Sequence, residues 1–291
     1  MDWKQTAPSY AKLNLTLDVG LPRADGYHDI DSIVVPLSIS DEITVAVRQG
    51  TGQVKLVVKD KRPDRIATPP IPRGEANLVH RAATLARNAW HSADDIDIWC
   101  TLVKRLPAEA GLGAGSSNAA CVLQLLTSAF GRSPIETAPL AAALGSDVPL
   151  FLAGGAVRMR GRGEIVEPID GIPSVLGVVV RPESGVPTGP AYALLDSNRN
   201  RIPGTATDAL LADRSQVFNH LHNDFQAPVA GAFPDVGQAL SLLREAGACV
   251  TVLCGSGSAV FGGADDRPHA VEMVRKLAPV FPFVKIVETM P

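Results

Sequence analysis

The run from Pro107 to Asn118 reads Pro-Ala-Glu-Ala-Gly-Leu-Gly-Ala-Gly-Ser-Ser-Asn and leads into a helical periodicity. Gly111, Gly113 and Gly115, interleaved with small residues, let the main chain approach an anion closely, and the amides of a helix N-terminus carry partial positive charge. Ser116 and Ser117 add hydroxyls suited to a phosphate oxygen or to Mg2+. An ordinary strand-to-helix turn capped by Ser116, Ser117 or Asn118 is the competing reading. A single cap, however, does not require three glycines. The common nucleotide folds fail on spacing. Gly115 stands where a P-loop needs lysine, and Gly111-Leu-Gly-Ala-Gly115 lacks the third interval of the dinucleotide fingerprint. Neither His-Arg-Asp nor Asp-Phe-Gly occurs.

Such a loop needs a strand before it and a helix after it, and both are legible. Ile96, Ile98, Cys100 and Leu102 alternate as a strand running into Pro107; Ala119, Val122, Leu123, Leu126 and Phe130 share a helical face that Gly131 ends. Upstream, Leu13, Leu15, Leu17 and Val19 alternate with Asn14, Thr16 and Asp18, predicting a half-buried strand with Lys12 and Asn14 on its polar face. Further strands are expected at 43–47 and 54–58, then a proline-rich exposed connection over 59–75 and a helix over 78–89. A short helix from Pro134 ends near Gly145, just before Ser146-Asp147-Val148-Pro149. Asp147 there is equally readable as a helix N-cap or as a reactive carboxylate. Glycines around 154–163 bracket another strand, and a domain boundary is placed nearby, dividing the chain into 1–160 and 161–291.

The second half opens with an apolar strand at 175–180 and helical signals over 191–230. An amphipathic helix ending at Gly247 follows, then a strand at 249–253, the turn Gly255-Ser256-Gly257, a strand at 258–261, a helix at 270–277 and a strand at 283–287. Strand–helix–strand–strand–helix–strand is the ferredoxin-like order, so the fold class is α+β.

With 291 residues, 46% hydrophobic and 20% charged, the chain is long enough for a large core. Its 27 basic and 30 acidic residues leave a net charge of -3, too little positive excess for a nucleic-acid partner. No apolar run is long enough to cross a bilayer, and the start lacks a signal-peptide pattern. Cys100, Cys121, Cys249 and Cys254 lie in apolar settings without a Cys-x-x-Cys pair, and the six histidines are scattered. Buried thiols in a reducing cytoplasm are expected rather than a zinc site.

Three blocks in order resemble the GHMP kinase superfamily: Ala11-Lys-Leu-Asn-Leu15, the glycine run over 107–120, and Cys254-Gly-Ser-Gly-Ser258. Arg23-Ala-Asp-Gly-Tyr-His28, together with Leu144-Gly-Ser-Asp-Val-Pro149 and Asn223-Asp-Phe225, is similar to the branch that acts on a cytidine diphosphate-linked methylerythritol. The resemblance covers nearly the whole chain. It departs at Glu109 and Ala114 in the loop and at Cys254 before the last glycine turn.

The resemblance implies an amino-terminal domain like ribosomal protein S5 domain 2, a ferredoxin-like second domain, and ATP-dependent phosphorylation of a small alcohol with Mg2+. It further implies that Asp147 is the base and Lys12 its partner, and that Pro107, Ala108, Glu109, Ala110, Gly111, Leu112, Gly113, Ala114, Gly115, Ser116 and Ser117 bind ATP. Ser116 or Ser117 would reach the metal. Asn14, Tyr27, His28, Thr188 and Tyr192 would bind the acceptor, with Tyr27 and Tyr192 as walls for a pyrimidine, and Gly255, Ser256 and Gly257 would close on the phosphates. A solvated strand lysine, a turn tyrosine and a core tyrosine are the ordinary alternatives for Lys12, Tyr27 and Tyr192. A cytoplasmic monomer or weak homodimer is expected. A sister kinase for homoserine, mevalonate or a sugar, and a silent sensor, are the competing functions.

Overall fold

The structure, a computed structural model, describes residues 2–63, 70–91, 95–197 and 201–291. Part of the proline-rich connection and part of the helical stretch after 191 therefore lie outside the described residues.

The first lobe contains strands β1 (Trp3–Asn14), β2 (Thr16–Pro22), β3 (His28–Gln49), β4 (Val54–Asp60) and β5 (Ile96–Lys104), with helix α1 (Leu78–Trp90) between the last two. Helices α2 (Ala114–Ala129), α3 (Pro134–Leu144) and α4 (Leu150–Ala153) follow, then the hairpin β6 (Val157–Gly161) and β7 (Ile165–Pro168). Strand β3 organises the sheet. Its first half pairs with β2 and β6, and its second half lies between β1 and β5, all antiparallel. Ile43, Val45 and Val47 alternate inward from β3 and pack with Val79, Ala82 and Ala86 of α1 and Ala119, Val122 and Leu126 of α2. Small residues on both helices let them sit close to the sheet.

The second lobe contains β8 (Leu176–Arg181), α5 (Thr188–Ser197), α6 (Ala206–Ala212), α7 (Val217–His220), β9 (His222–Asn223), α8 (Gln226–Ala232), α9 (Pro234–Glu245), β10 (Thr251–Leu253), β11 (Val260–Gly263), α10 (Arg267–Leu277) and β12 (Phe283–Glu288). Its sheet runs β10-β11-β8-β12 with every neighbour antiparallel, the ferredoxin-like arrangement. Val178 and Val180 of β8 pack under α9 and α10 with Leu243 and Met273, whereas Val179 faces the opposite way.

That opposite face joins the lobes. Val179, Val252, Phe261 and Phe283 share one core with Ala11, Leu13 and Leu15 of the first strands. The opening strand is consequently buried on both sides from Ala11 to Val19, not half-buried as its alternation predicts. Ala11, Leu13 and Leu15 meet the second sheet, Lys12 and Asn14 line the cleft described below, and Thr16 and Asp18 bond to α6. The lobes are also stitched in sequence. The β6–β7 hairpin straddles the expected 160/161 division and belongs to the larger sheet, because β7 pairs with β6 and β6 with β3. From the second half, β9 pairs in parallel with β2, and Leu37 bridges Thr289.

Among the cysteines, Cys249 is exposed, correcting the expectation that all four are buried. It lies in the turn before β10, where its thiol donates to Asp265 Oδ1 at 3.0 Å. Burial pushes the thiols of Cys100, Cys121 and Cys254 up to about 12. The histidines are not all scattered in space: His222 stands with Asp18 and Asp224, and His269 with Cys249 and Asp265. In the first group both carboxylates accept backbone amides, Asp18 from Ala206 and Thr207 and Asp224 from Val19 and Gly204, so the group fastens α6 to β2.

Candidate active site

A cleft of about 620 Å3 opens between the lobes, lined by Lys12 and Asn14 of β1, residues 107–116, Asp147, Thr188, Tyr192 and the turn Gly255-Ser256-Gly257. Three segments far apart in sequence meet there through backbone contact. Lys12 N–H donates to Leu112 O at 3.0 Å, and Ser258 and Ala259 donate to Glu109 O and Ala110 O at 3.3 and 3.2 Å. Gly111, at φ +71°, has no room for a side chain, since a Cβ there would lie 1.7 Å from Cys254 O.

Helix α2 starts inside the loop. Gly113 is its N-cap, in the left-handed conformation and without a side-chain cap, so Ser116 and Ser117 fall in the first turn rather than capping it. The first-turn amides of a 16-residue helix are thus offered to the cleft. The two serines diverge. Ser116 lines the cleft, whereas Ser117 is buried on the far side of the helix, its Oγ 2.7 Å from Ser9 Oγ. Ser116 is therefore the hydroxyl available to a phosphate or a cation, and Ser117 anchors α2 to β1.

The glycine turn is held from below by Asn223, whose Nδ2 donates to Leu253 O at 2.8 Å and to Gly255 O at 2.7 Å. A Cβ on Gly255 would be 2.9 Å from Lys12 Nζ, so the ammonium lies directly against this turn. Lys12 is only 5% exposed and donates to Asn14 Oδ1; Asn14 in turn donates to Ser32 Oγ at 2.8 Å. Burial pushes the Lys12 ammonium below its ordinary value, opposed by the charge of Asp147 and then by Cys254. Asp147 does not cap a helix: it sits half-buried in the turn before α4, whose N-cap is Pro149.

The expected pyrimidine walls separate. Tyr192 lines the cleft, stacked on His28 with ring centroids 5.0 Å apart and edge-on to Phe225 at 4.8 Å. His28 is buried behind it, bonded through Nδ1 to Gly20 O at 2.8 Å and through Nε2 to Asp196 at 3.2 Å. Tyr27 is 55% exposed and outside the cleft, under the Arg162 guanidinium. Gly26, at φ +79°, lies in the turn just before Tyr27 and His28, and β3 begins at His28. Thr188 opens α5 at the rim, its Oγ1 3.3 Å from Ser256 Oγ.

Several lining residues escape a reading of the sequence. Lys104, Asn77, Leu17, Ile30 and Met159 all line the cleft, as does Phe225 of the Asn223-Asp-Phe225 block. Lys104 is held by the fully buried Asp41 at 2.5 Å, and the same carboxylate accepts the amides of Arg105 and Leu106 and the Asn118 amide. Asp41 therefore ties the end of β5, the lead-in to the glycine loop and the N-terminal half of α2 together. Removing one partner of such a buried pair costs about 3–5 kcal/mol.

Residues 77–155 match the GHMP kinases N terminal domain and residues 207–282 the GHMP kinases C terminal domain. The 4-diphosphocytidyl-2-C-methyl-D-erythritol kinase of Moorella thermoacetica (strain ATCC 39073 / JCM 9320) is 34% identical over 98% of this chain and 99% of its own. The chain belongs to the 4-diphosphocytidyl-2-C-methyl-D-erythritol kinase family of GHMP kinases. A second member, from Anaeromyxobacter sp. (strain Fw109-5), is 38% identical over 92% of this chain and 85% of its own. A crystal structure of 4-(cytidine 5'-diphospho)-2C-methyl-D-erythritol kinase superposes with a TM-score of 0.83 at 29% identity, covering 99% of this chain and all of the other. Mevalonate kinase of L. major in complex with R-mevalonate shares the fold, with a TM-score of 0.74 at 15% identity over 100% of this chain and 97% of its own. No helix among the described residues is long and apolar enough to cross a membrane.

Proposed function

We infer that the chain transfers the γ-phosphoryl group of ATP to the 2-hydroxyl of 4-diphosphocytidyl-2-C-methyl-D-erythritol, with Asp147 as base and Lys12 as the charge that steadies the reacting oxygens. The observation that carries this reading is the single cleft shared by Lys12, Asp147, the glycine loop and the glycine turn, in a chain of this kinase family.

The loop amides and the first turn of α2 suit the triphosphate. Phosphoryl transfer then depends on positioning and on neutralising charge more than on covalent help from the protein. The acceptor hydroxyl loses its proton to the Asp147 carboxylate as its oxygen bonds to the γ-phosphorus, and the bond from that phosphorus to the β,γ-bridging oxygen breaks to release ADP. Lys12, against Gly255 and bonded to Asn14, is placed to stabilise the developing negative oxygen. Ser116 Oγ, on the cleft side of α2, is an oxygen donor of the type Mg2+ takes. Bound with the nucleotide, the ion would neutralise phosphate charge. In the same cleft, Tyr192 offers an aromatic surface for a pyrimidine, with His28 stacked against its ring.

ADP release measured across a panel of acceptors tests this. Turnover with the cytidylyl acceptor, and competition by CDP, is the expected result. Turnover only with homoserine, mevalonate or a sugar, or none with any acceptor, would overturn it.

A further inference from the structure

Arg181, the last residue of β8, is fully buried. Its Nη1 donates to Pro182 O and Glu183 O at 2.9 Å each, while Nε and Nη2 have no hydrogen-bond partner among the described residues. A guanidinium remains charged at any pH a protein survives, so a buried one needs a compensating anion nearby. Glu109 supplies it. A Cβ placed on Gly185 would lie 2.6 Å from Glu109 Oε2, 3.1 Å from Glu109 Cβ and 3.4 Å from Arg181 Nη2. The glutamate side chain therefore lies across the bare face of Gly185 and carries its carboxylate toward the arginine. Burial pushes the Arg181 guanidinium down, and Glu109 is the first charge opposing this, ahead of Asp235. Asp235 is already engaged by the Ser184 amide at 2.9 Å.

The backbone of Glu109 shows the same attachment. It is the one non-glycine residue with positive φ among the described residues, at +51°, and its carbonyl accepts both Val186 N–H and Ser258 N–H at 3.3 Å. A left-handed glutamate is costly unless its surroundings hold it.

We propose that Glu109, laid over Gly185 toward the buried Arg181, latches the glycine loop to the 182–188 connection of the second lobe and thereby sets the affinity for nucleotide. Glu109 is then a positioning residue that keeps the loop amides aligned with the glycine turn before ATP arrives. This rests on the loop being the nucleotide site. It reverses the effect expected of an acidic side chain in such a loop, since a carboxylate directed at the phosphates would repel them, whereas one directed at Arg181 assists their binding.

The sign of one substitution separates these. ADP affinity of the full chain is measured by calorimetry for wild type, Glu109→Gln, Gly185→Ala and Glu109→Ala/Gly185→Ala, with KM for ATP and kcat alongside. Glu109→Gln is expected to weaken ADP binding about three- to tenfold at low salt, with the gap narrowing at high ionic strength. The loss should fall on KM for ATP rather than on kcat. Gly185→Ala displaces the carboxylate without removing it and should weaken binding similarly. In the double variant its effect should vanish, because the alanine then has nothing to displace. Unchanged or tighter ADP binding by Glu109→Gln, or additive effects in the double variant, overturns the latch while leaving the nucleotide site intact. Wild-type protein that fails to bind ADP overturns both.

Discussion

Gly111 faces the carbonyl oxygen of Cys254 so closely that a methyl group there would stand 1.7 Å away. This contact joins the two glycine motifs, and with it the two lobes, at the floor of the cleft. Gly111→Ala must push the loop and the turn apart, and it also meets the strain of φ +71°. Gly131 offers a control, with φ +61° and nothing within 4 Å of its added Cβ. Gly131→Ala should cost only the backbone term, about 1 kcal/mol. Gly111→Ala should lose more stability and weaken ADP binding at least about tenfold, a change of 1.4 kcal/mol or more. Thermal melts and ADP calorimetry of both variants check this; equal behaviour would mean that the close approach is unimportant.

Asp147→Asn keeps the size of the side chain and removes its capacity to accept a proton. The expected result is a kcat about 10²- to 10⁴-fold lower, the usual worth of a positioned general base. ADP affinity should change by less than about twofold, since the residue is assigned to the acceptor and not to the loop. Rapid-quench turnover with saturating acceptor measures the first and calorimetry the second. Turnover near the wild-type rate would remove Asp147 as the base.

The Tyr192 ring is pinned between His28 and the edge of Phe225. If it serves as a stacking surface, Tyr192→Phe should keep the acceptor KM within about twofold, and Tyr192→Ala should raise it about tenfold, in line with base-stacking energies of 1–3 kcal/mol. The alanine variant also empties space beside the second-lobe core, so its melting temperature should fall. An acceptor KM unmoved in Tyr192→Ala would assign the ring to packing alone.

These residues differ in how far the sequence announces them. The glycine loop is legible because its requirements are local: amides, small side chains and a helix start are consecutive in the chain. Lys104 and Asn77 are not, because each resembles an ordinary strand lysine or helix cap until several elements converge on one cleft. Tyr27 is the opposite case, conspicuous in sequence yet exposed and outside the cleft lining. The same holds for the fold. The alternation of Ile43, Val45 and Val47 marks the second half of β3, but its first half mixes Asp29, Asp31 and Pro36 with apolar residues, and only pairing on both edges makes it a strand. The doubly buried opening segment is hidden for a related reason: its polar residues face the cleft (Lys12, Asn14) or α6 (Thr16, Asp18), not solvent.

His222 bonds Asp224 at 2.8 Å and lies 3.9 Å from Asp18, beside the segment that anchors the glycine turn. The Asp224 hydrogen bond raises the His222 imidazole above its ordinary value, with burial opposing. A base whose folded pKa is raised stabilises the fold fully below its unfolded pKa, near 6.5, and loses that contribution as pH climbs through the raised value. For Asp224, burial acts upward, but the bonds from His222 and the amides of Val19 and Gly204 outweigh it and hold the carboxyl low. Its share is therefore present above the ordinary carboxyl value and fades as pH falls through the lowered one. The pair should stabilise most between these limits. Because the His222 side chain is 41% exposed, solvent screening limits the effect to about 1 kcal/mol or less. The melting temperature of wild type should exceed that of His222→Gln by about 2 °C near pH 6, and the difference should close toward pH 9. A difference that widens with rising pH would show that the imidazole is held neutral in the folded chain.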